Sequence, residues 1–529
     1  LFDSTAGKKV TVSTFHALGL SILKDNFEKL NRTKNFILAD EAQKEEIMKS
    51  MAGCDKKNVS RILDEISLAK QKLFSENDIE NKEMCSYFST YQNALKEHDA
   101  FDLDDLVYET VNLLRDYPEI TAKYRAKFKY LLVDEYQDTN YAQYIFIRKL
   151  MPAPDSNLCV IGDPNQAIYG FRGADVEYIR RFTDDYSEAK VYSLHQSYRC
   201  SDKILKASGN VINEGNSALT GLKKGVKIKI VQQSSEKSEA EYIARTIEKM
   251  IGGLRFYSID SNVSEGEEAA DITSLSDFAV LCRTKDQFFA LQSAFQEHSI
   301  PCQVVGHAPF YKKEPLLSVI NIMRLTANPK NEFLLNEITE KNGLKKGDYN
   351  WIKKELHEKT LSEISQNIIT RFFAEEQKSK PDLFQQFSEW INSKDLSLNE
   401  FIDYLNLGAE TDGLTSKSES VALMTLHASK GLEFKCVFIA GCEEGLIPYA
   451  IYEKQKSDRE EEKRLLYVGM TRAEKYLYLT HAERRIIHHK EYRLQKSSFL
   501  SVIEKEFIEQ SKAEVKKKPD KNAGQMSLF

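Results

Sequence analysis

Residues Lys129–Asn140 read KYLLVDEYQDTN, and this stretch decides the fold. An apolar run ends at Asp134 and Glu135, which is typical of a buried strand whose carboxyl end opens into the ligand crevice of an α/β sheet. There one carboxylate can hold Mg²⁺ on nucleotide phosphates, while its neighbour orients or deprotonates the attacking water. A solvated acidic turn would account for the Asp-Glu pair alone, but not for the whole string.

A second string of the same kind covers Cys159–Ala174, CVIGDPNQAIYGFRGA. Another predicted strand ends at Gly162-Asp163, and the amide of Gln166 can sense a terminal phosphate, although Asp-Pro-Asn alone is also a good turn. Tyr169, Phe171 and Arg172 follow within a few residues. Aromatic rings and cations of this kind bind single-stranded DNA by base stacking and phosphate contacts.

Three further strings carry nucleotide-binding chemistry. Leu194–Ser201, LHQSYRCS, offers the ring of Tyr198 to adenine and the guanidinium fork of Arg199 to phosphate oxygens. In MTLHASKGLEF (424–434), Glu433 can accept a ribose hydroxyl, and in EEEKRLLYVGMTRA (460–473), Arg472 can act as an arginine finger. An alternative stays open for each string. Tyr198 beside Arg199 could be an ordinary surface aromatic, Glu433 a solvated charge, and Arg472 a helix-end cation that complements the helix dipole.

Two more groups are candidate contacts to single-stranded DNA. Thr14, Phe15 and His16 follow the predicted strand Val10–Ser13, and Thr425 and His427 lie at the end of the predicted strand Val421–Leu426. Each histidine could instead be a satisfied structural residue.

Length and composition set the limits for these interpretations. The chain has 529 residues, 41% hydrophobic and 29% charged, which indicates a globular protein of about three or four domains without an apolar run that could span a membrane. None of the eight cysteines forms a C-x-x-C pair, so neither a zinc ribbon nor a disulfide framework is indicated, and a reducing cytoplasm fits. A net charge of −6 neither supports nor excludes nucleic acid, because binding depends on a local basic groove.

Short apolar runs alternate with helical stretches, which predicts parallel α/β domains. The remaining strand predictions are Tyr130–Asp134, Leu158–Gly162, Val191–Leu194, Lys227–Val231, Phe278–Cys282, Cys436–Ala440 and Tyr476–Thr480. Residues 24–98 and 316–415 show helical periodicity without a strand signal, so we expect two helical insertions. The charged end of the chain predicts a flexible tail.

The five strings in this order closely resemble the motifs of the UvrD/Rep/PcrA branch of superfamily 1 helicases, from Thr11 to about Ala482. TFHALG near the start and IPCQVVGHAPFYKKEPLLSVI after Ser299 resemble the same family. The resemblance implies an α/β fold with two RecA-like, parallel-sheet P-loop-NTPase motor domains, each with a mostly helical insertion. The implied division is 1–23 plus 99–205 (first motor domain), 24–98 (insertion), 206–315 plus 416–505 (second motor domain), 316–415 (insertion) and 506–529 (tail).

The resemblance also assigns roles. It implies a 3′ to 5′ DNA helicase that uses ATP and Mg²⁺, acts on single-stranded DNA and on ss/ds junctions in DNA repair or replication, and works in the bacterial cytoplasm at the nucleoid. The matching residues are Asp134 (magnesium), Glu135 (water activation), Gln166 (γ-phosphate sensor), Tyr198 (adenine), Glu433 (nucleotide contact), and Arg199 and Arg472 (γ-phosphate). ATP is expected in a cleft between the two motor domains.

One family motif is missing. No G-x-x-x-x-G-K-[S/T] occurs in the sequence; Ala6-Gly7-Lys8-Lys9 is the nearest string and lacks both the first glycine and the hydroxyl. In the family this loop precedes TFHALG, so we expect a truncated first motor domain, with a degenerate ATPase as the alternative. Either case predicts poor ATP hydrolysis.

Phe171 also stands where the family usually has tryptophan, which predicts somewhat weaker stacking.

The chain ends in QMSLF, which resembles the short peptides that bind the bacterial sliding clamp. Leu528 and Phe529 would fill an apolar pocket and Gln525 would form hydrogen bonds; a tail without function is equally compatible.

Two other function classes remain: the helicase part of a helicase–nuclease of the AddA/RecB kind, which would need a nuclease domain after about residue 500, and a non-hydrolysing DNA-binding scaffold.

Overall fold

The computed structural model describes residues 10–34, 36–50, 58–154, 156–212, 219–252, 271–306, 309–329, 331–355, 359–407, 418–450, 458–487 and 490–512. The chain divides into two compact units: unit 1 is Leu1–Lys190 with Ala308–Gly413, and unit 2 is Val191–His307 with Leu414–Phe529. This division groups residues 191–205 with unit 2 and the second insertion with unit 1. The domain boundaries given above stay a prediction.

The helices of unit 1 come from both of its segments. They are α1 Phe15–Asp25, α2 Glu41–Ser50, α3 Val59–Gln71, α4 Lys82–Glu97, α5 Asp105–Asp116, α6 Pro118–Lys127, α7 Tyr141–Leu150, α8 Glu177–Arg180 and α9 Phe182–Asp185, then α13 Leu316–Ala327, α14 Glu332–Asn342, α15 Lys346–Glu355, α16 Leu361–Phe372, α17 Ala374–Ser379, α18 Pro381–Asn392 and α19 Leu398–Leu407. Those of unit 2 are α10 Asp202–Val211, α11 Glu236–Gly252, α12 Phe288–Glu297 and α20 Arg459–Met470.

The strands follow the same division. Unit 1 contains β1 Ile37–Leu38, β2 Ala100–Phe101, β3 Leu131–Val133 and β4 Leu158–Val160. Unit 2 contains β5 Gln196–Ser197, β6 Thr220–Gly221, β7 Ile228–Gln233, β8 Phe278–Cys282, β9 Cys302–Val304, β10 Val421–Thr425, β11 Phe434–Ile439, β12 Ala473–Ala482, β13 Arg484–Ile487, β14 Lys490–Arg493 and β15 Ile508–Lys512.

Unit 2 is built on a seven-stranded sheet in the order β15-β7-β12-β11-β8-β10-β9, and every neighbouring pair is parallel. All five residues of β8 are buried, as a strand covered on both faces requires, and an apolar core containing Phe278, Phe438 and Tyr478 joins the sheet to α11 and α12. The mixed α/β architecture with a parallel sheet confirms the predicted fold class.

Unit 1 is mostly helical in its described part. The described residues of 24–98 form helices and the short strand β1, with an apolar core of their own that includes Ile62, Phe88 and Tyr91. Residues 316–407 form a second helical body around Phe384, Phe387 and their neighbours. Between these segments, β3 and β4 form a parallel two-stranded sheet. No helix in the described ranges is both long and apolar enough to cross a membrane.

Three predictions about strands and the tail were wrong. Val10–Ser13 and Val191–Leu194 are not strands, and the side chains of Val12 and Leu194 lie exposed, because no strand among the described residues pairs with either segment. The flexible tail was predicted to begin at residue 506, but Ile508–Lys512 forms a strand that pairs with β7 and buries Ile508. β3 was predicted to be a buried strand, but the side chain of Leu132 in this strand is 70% exposed.

A buried ion-pair network stabilises the carboxyl ends of the unit 2 strands. Arg485 lies between the carboxylates of Glu239 and Glu443, and its Nη2 is 2.7 Å from Oε1 of Glu443. Glu239 also accepts hydrogen bonds from the hydroxyl of Thr480 and the N–H of Gly441. These contacts connect α11 to the ends of β11 and β12.

We predict that Arg485→Ala lowers the free energy of unfolding of unit 2 by about 3–5 kcal/mol, because it leaves two buried carboxylates without a cation. Arg484→Ala is the control, since Arg484 is the exposed neighbour on the same strand. Urea denaturation of the full chain measures both variants. Similar midpoints for the two variants would contradict a stabilising role for the network.

Candidate functional site

The ends of β3 and β4 form the candidate site in unit 1. The N–H of Ile161 donates to the carbonyl of Val133 (2.8 Å), and the N–H of Tyr136 donates to the carbonyl of Ile161 (2.9 Å), so the two strand ends lie side by side. Asp134 and Glu135 follow β3 directly and both are exposed. Glu135 has a φ of 51°, a left-handed conformation that is uncommon for this residue type and is frequent at functional sites.

A buried amide connects the two strand ends. Gln137 is fully buried; its Nε2 donates to the Glu135 carboxylate (2.6 Å), and its Oε1 accepts from the N–H of Asp163 (3.1 Å). The Asp163 carboxylate in turn accepts from Nε2 of Gln166 (2.9 Å). The structure therefore brings Glu135 and Gln166 into one hydrogen-bonded chain, Glu135–Gln137–Asp163–Gln166, which we call the polar chain.

Gln137 and Asp163 were not predicted as site residues, although both lie in the strings that drew attention to their neighbours. Membership of those strings was the sequence signal that could have identified the two residues. The sequence does not indicate that the side chain of Gln137 turns inward to the neighbouring strand end.

Asp134 fits the part of a magnesium ligand. Its Oδ1 accepts from the N–H of Glu135 (2.9 Å), and the carboxylate is exposed at the strand end. No cluster of three or more metal-ligating side chains occurs in the part of the chain that the structure describes. Mg²⁺ in nucleotide sites is held by one or two carboxylates together with phosphates and water, and a single carboxylate matches that ligand set.

The predicted DNA-contacting residues after Gln166 lie together at the surface. The rings of Tyr169 and Phe171 are 6.1 Å apart, and the guanidinium of Arg172 lies 5.5 Å from the Phe171 ring and 5.8 Å from the Tyr169 ring. Phe171 is 63% exposed. Gly173 closes this turn with a φ of 75°, and a side chain there would meet Gln71.

Thr14, Phe15 and His16 begin a helix instead of following a strand. Thr14 caps α1, since its Oγ1 accepts from the N–H of Ala17 (3.2 Å), and the Phe15 ring packs against Phe146. Burial lowers the pKa of His16, and the nearby charge of Asp104 opposes this shift only in part. The half-buried imidazole with its lowered pKa agrees with the structural alternative, and its contact with DNA stays a prediction.

Four of the predicted nucleotide contacts meet at one place in unit 2. Nε of Arg199 donates to the Glu433 carboxylate (2.7 Å), and Tyr198 beside it is exposed. The thiol of Cys200 donates to the carbonyl of Thr471 (3.2 Å), next to Arg472. The segment with Tyr198 and Arg199 is thus tied to the segments with Glu433 and Arg472.

Arg472 is buried against backbone carbonyls. Its Nε donates to the carbonyl of Val468 (2.9 Å) in the last turn of α20, and Nη1 donates to the carbonyl of Leu432 (3.3 Å). The guanidinium therefore caps the helix end, as the helix-end alternative predicted. It also lies directly beneath the segment that carries Glu433.

Thr425 and His427 mark the turn after β10. Oγ1 of Thr425 accepts from the N–H of Ala428 (3.3 Å), and His427 begins the 3-10 turn His427–Ser429. Gly431 follows with a φ of 83° and open space around it.

Gln525, Leu528 and Phe529 lie outside the described residues, so the clamp-binding prediction stays untested.

The mixed α/β fold with its parallel sheet fits the helicase class of proteins, and comparison with known families shows that class. Residues 1–187 match the UvrD/REP helicase N-terminal domain, and residues 192–378 and 347–484 match the UvrD-like helicase C-terminal domain. The chain belongs to the UvrD/Rep helicase family.

Within that family, the chain is similar to the ATP-dependent DNA helicase PcrA of Staphylococcus epidermidis (strain RP62A) and of Staphylococcus aureus (strain Mu50). It is 29% identical to each, and the alignments cover 94% of this chain and 76% of the relative. The predicted resemblance is confirmed. A solved C-terminal domain of a possible DNA helicase from Lactobacillus plantarum overlaps with a TM-score of 0.26 at 10% identity, covering 59% of this chain and 98% of that one, and this score is too low to support an argument.

We predict that Gly162→Ala disrupts the polar chain. An added Cβ would lie 2.4 Å from Oε1 of Gln137 and 2.7 Å from Cδ1 of Ile179, so the variant should lose about 1–3 kcal/mol of stability. Gly347→Ala in α15 is the control, because a Cβ there meets open space and alanine favours the helix. Chemical denaturation checks both; an unchanged midpoint for Gly162→Ala would contradict the tight packing.

Proposed function

We propose that this protein is an ATP-driven DNA helicase or translocase that moves 3′ to 5′ along single-stranded DNA and opens ss/ds junctions. The observation that carries the proposal is the polar chain, which runs from Glu135 to Gln166 and continues along the backbone to the half-buried ring of Tyr169 and the exposed ring of Phe171. A change at the phosphate sensor can therefore move a base-stacking ring a few residues away.

In this proposal, each predicted nucleotide contact has its own role in ATP hydrolysis. Asp134 would hold Mg²⁺, which would neutralise charge on the phosphates, and Glu135 would accept the proton of the attacking water. Gln166 contacts the γ-phosphate and loses that contact on hydrolysis. Tyr198 stacks on adenine, Glu433 accepts from the ribose, and Arg199 and Arg472 bind phosphate oxygens through charge-assisted hydrogen bonds.

We propose further that the chain in its present sequence hydrolyses ATP weakly, because it contains no G-x-x-x-x-G-K-[S/T]. The second candidate is a non-hydrolysing DNA-binding scaffold. The intact acidic, amide and arginine groups support the motor. We propose that the protein acts on DNA in the bacterial cytoplasm at the nucleoid, in repair or replication.

Single-stranded DNA binding tests the proposed track. Phe171→Ala should weaken binding of a fluorescently labelled oligo-dT by about tenfold at fixed salt, because base–aromatic stacking contributes about 1–3 kcal/mol per base. Phe289→Ala is the control, since Phe289 is another exposed phenylalanine, on α12 of unit 2. Fluorescence anisotropy measures both, and equal affinities for the two variants would count against the track.

Nucleotide binding tests the site in unit 2 without requiring turnover. Tyr198→Ala should weaken binding of a fluorescent ATP analogue with Mg²⁺ by about 2- to 10-fold, because ring stacking contributes about 0.5–1.5 kcal/mol. Tyr192→Ala is the matched control, since Tyr192 is an exposed tyrosine six residues earlier in the same segment. A larger loss for Tyr192→Ala than for Tyr198→Ala would refute the adenine assignment.

The C-terminal QMSLF is proposed to bind the bacterial sliding clamp. A peptide of residues 510–529 should bind the clamp in a titration, and the same peptide with Leu528→Ala and Phe529→Ala should not, because the apolar anchors are removed. Absence of binding up to about 100 μM would end this proposal, since it implies a free energy weaker than about −5.5 kcal/mol.

A further inference from the structure

The turn that carries the exposed ring of Phe171 is short. Its 3-10 segment Gly170–Arg172 ends at Gly173, whose N–H donates to the carbonyl of Gly170 (2.9 Å). Directly after the turn, Ala174 forms an antiparallel bridge to Asn140, the residue that caps α7. The direction of the Phe171 ring therefore depends on a few backbone angles, and any group that holds Gly173 also holds the ring.

Gly173 lies against Gln71, the last residue of α3 within residues 24–98. A Cβ on Gly173 would lie 2.5 Å from Oε1 of Gln71 and 3.6 Å from Cδ1 of Leu68. The Cα–H bond that this Cβ would replace is therefore directed toward the carboxamide oxygen, and contacts of this kind are weak hydrogen bonds. The same oxygen is buried and accepts no N–H or O–H hydrogen bond within the described residues.

Hydrogen bonds fix which end of the Gln71 carboxamide faces the turn. Its Nε2 donates to Oγ of Ser67 (3.0 Å) and to Oδ1 of Asp104 (3.2 Å). The hydroxyl of Ser67 donates to the other oxygen of Asp104 (2.7 Å), which closes a small polar network between α3 and the start of α5. Because the amide nitrogen is bound to a carboxylate, the oxygen is the end that faces Gly173.

We propose that Gln71 is a positioning residue for single-stranded DNA: its carboxamide holds Gly173, and with it the turn that presents the ring of Phe171 to a base. This inference rests on the proposed function of the turn as part of the DNA track. It adds to that track a residue of the first helical insertion. Loss of the carboxamide leaves the ring intact but frees the turn that directs it, so base stacking weakens.

Binding of a labelled oligo-dT, measured by fluorescence anisotropy of the full chain at fixed salt, tests this role. Gln71→Ala should weaken binding by about two- to fivefold, which corresponds to the loss of one weak contact. Gln92→Ala is the matched control and should bind like the unchanged protein. Gln92 lies on α4 of the same insertion, its Nε2 also donates to an aspartate, Asp105 (3.2 Å), and its buried Oε1 likewise has no partner among the described residues.

A double variant separates positioning from a general loss of stability. If Gln71 acts through the ring, Gln71→Ala should have no further effect on binding in a chain that already carries Phe171→Ala. An oligo-dT with one 2-aminopurine, placed at each position in turn, gives a second readout, because stacking quenches the emission of this base. At saturating protein, the bound oligonucleotide should emit more strongly with Gln71→Ala than with the unchanged protein, whereas a merely destabilised protein changes only the amount bound.

Three results would each overturn the inference: Gln71→Ala binds oligo-dT like Gln92→Ala, the losses from Gln71→Ala and Phe171→Ala multiply in the double variant, or the emission of the bound 2-aminopurine is the same in Gln71→Ala as in the unchanged protein at every position. Failure of the track itself gives a different pattern, in which the unchanged protein does not bind oligo-dT or Phe171→Ala binds as tightly as the unchanged protein. That pattern would remove the proposed function of the turn together with this inference.

Discussion

The buried amide of Gln137 is the contact on which the unit 1 site depends. An amide enclosed at low dielectric must have both ends hydrogen-bonded, and here the N–H of Asp163 requires an oxygen while the Glu135 carboxylate requires a nitrogen. Only one orientation of the carboxamide satisfies both neighbours. Glu135 is therefore held by a group that belongs to the core, even though its own side chain is exposed and its backbone adopts an uncommon conformation.

The sequence was sufficient to name Glu135 and Gln166 as candidate site residues, but not to predict the contacts that connect them. Glu135 and Gln166 could be predicted because each follows an apolar run and lies in a string that is longer and more specific than a solvated turn requires. The contact from Gln137 to Asp163 spans 26 residues and exists only because β3 and β4 are neighbours in register. No spacing rule in a single sequence gives that pairing, so the residue that joins the two strings remained hidden.

The strand predictions failed where an apolar run lacked a partner. Phe278–Cys282 is a strand with the predicted bounds because β10 and β11 take up its backbone groups on both sides. Val191–Leu194 is similarly apolar, yet remains outside any strand and exposed. The opposite error occurred at Ile508–Lys512, whose polar sequence indicates a tail, although a strand at the edge of a sheet tolerates charged residues. Apolarity indicates a tendency to be buried, whereas strand pairing depends on the neighbouring backbone.

Arg472 adds an energetic condition to the proposed motor. Its guanidinium is buried and donates to two main-chain carbonyls, so a phosphate must compete with acceptors that are already well placed. An anionic oxygen adds a charge–charge attraction that a neutral carbonyl does not offer, and this attraction grows as the local dielectric falls, so the exchange is favourable when the anion is close and shielded from water. Under the proposed function, Arg472 would therefore respond to the charge on the nucleotide, while Arg199, paired with exposed Glu433, would bind with less discrimination.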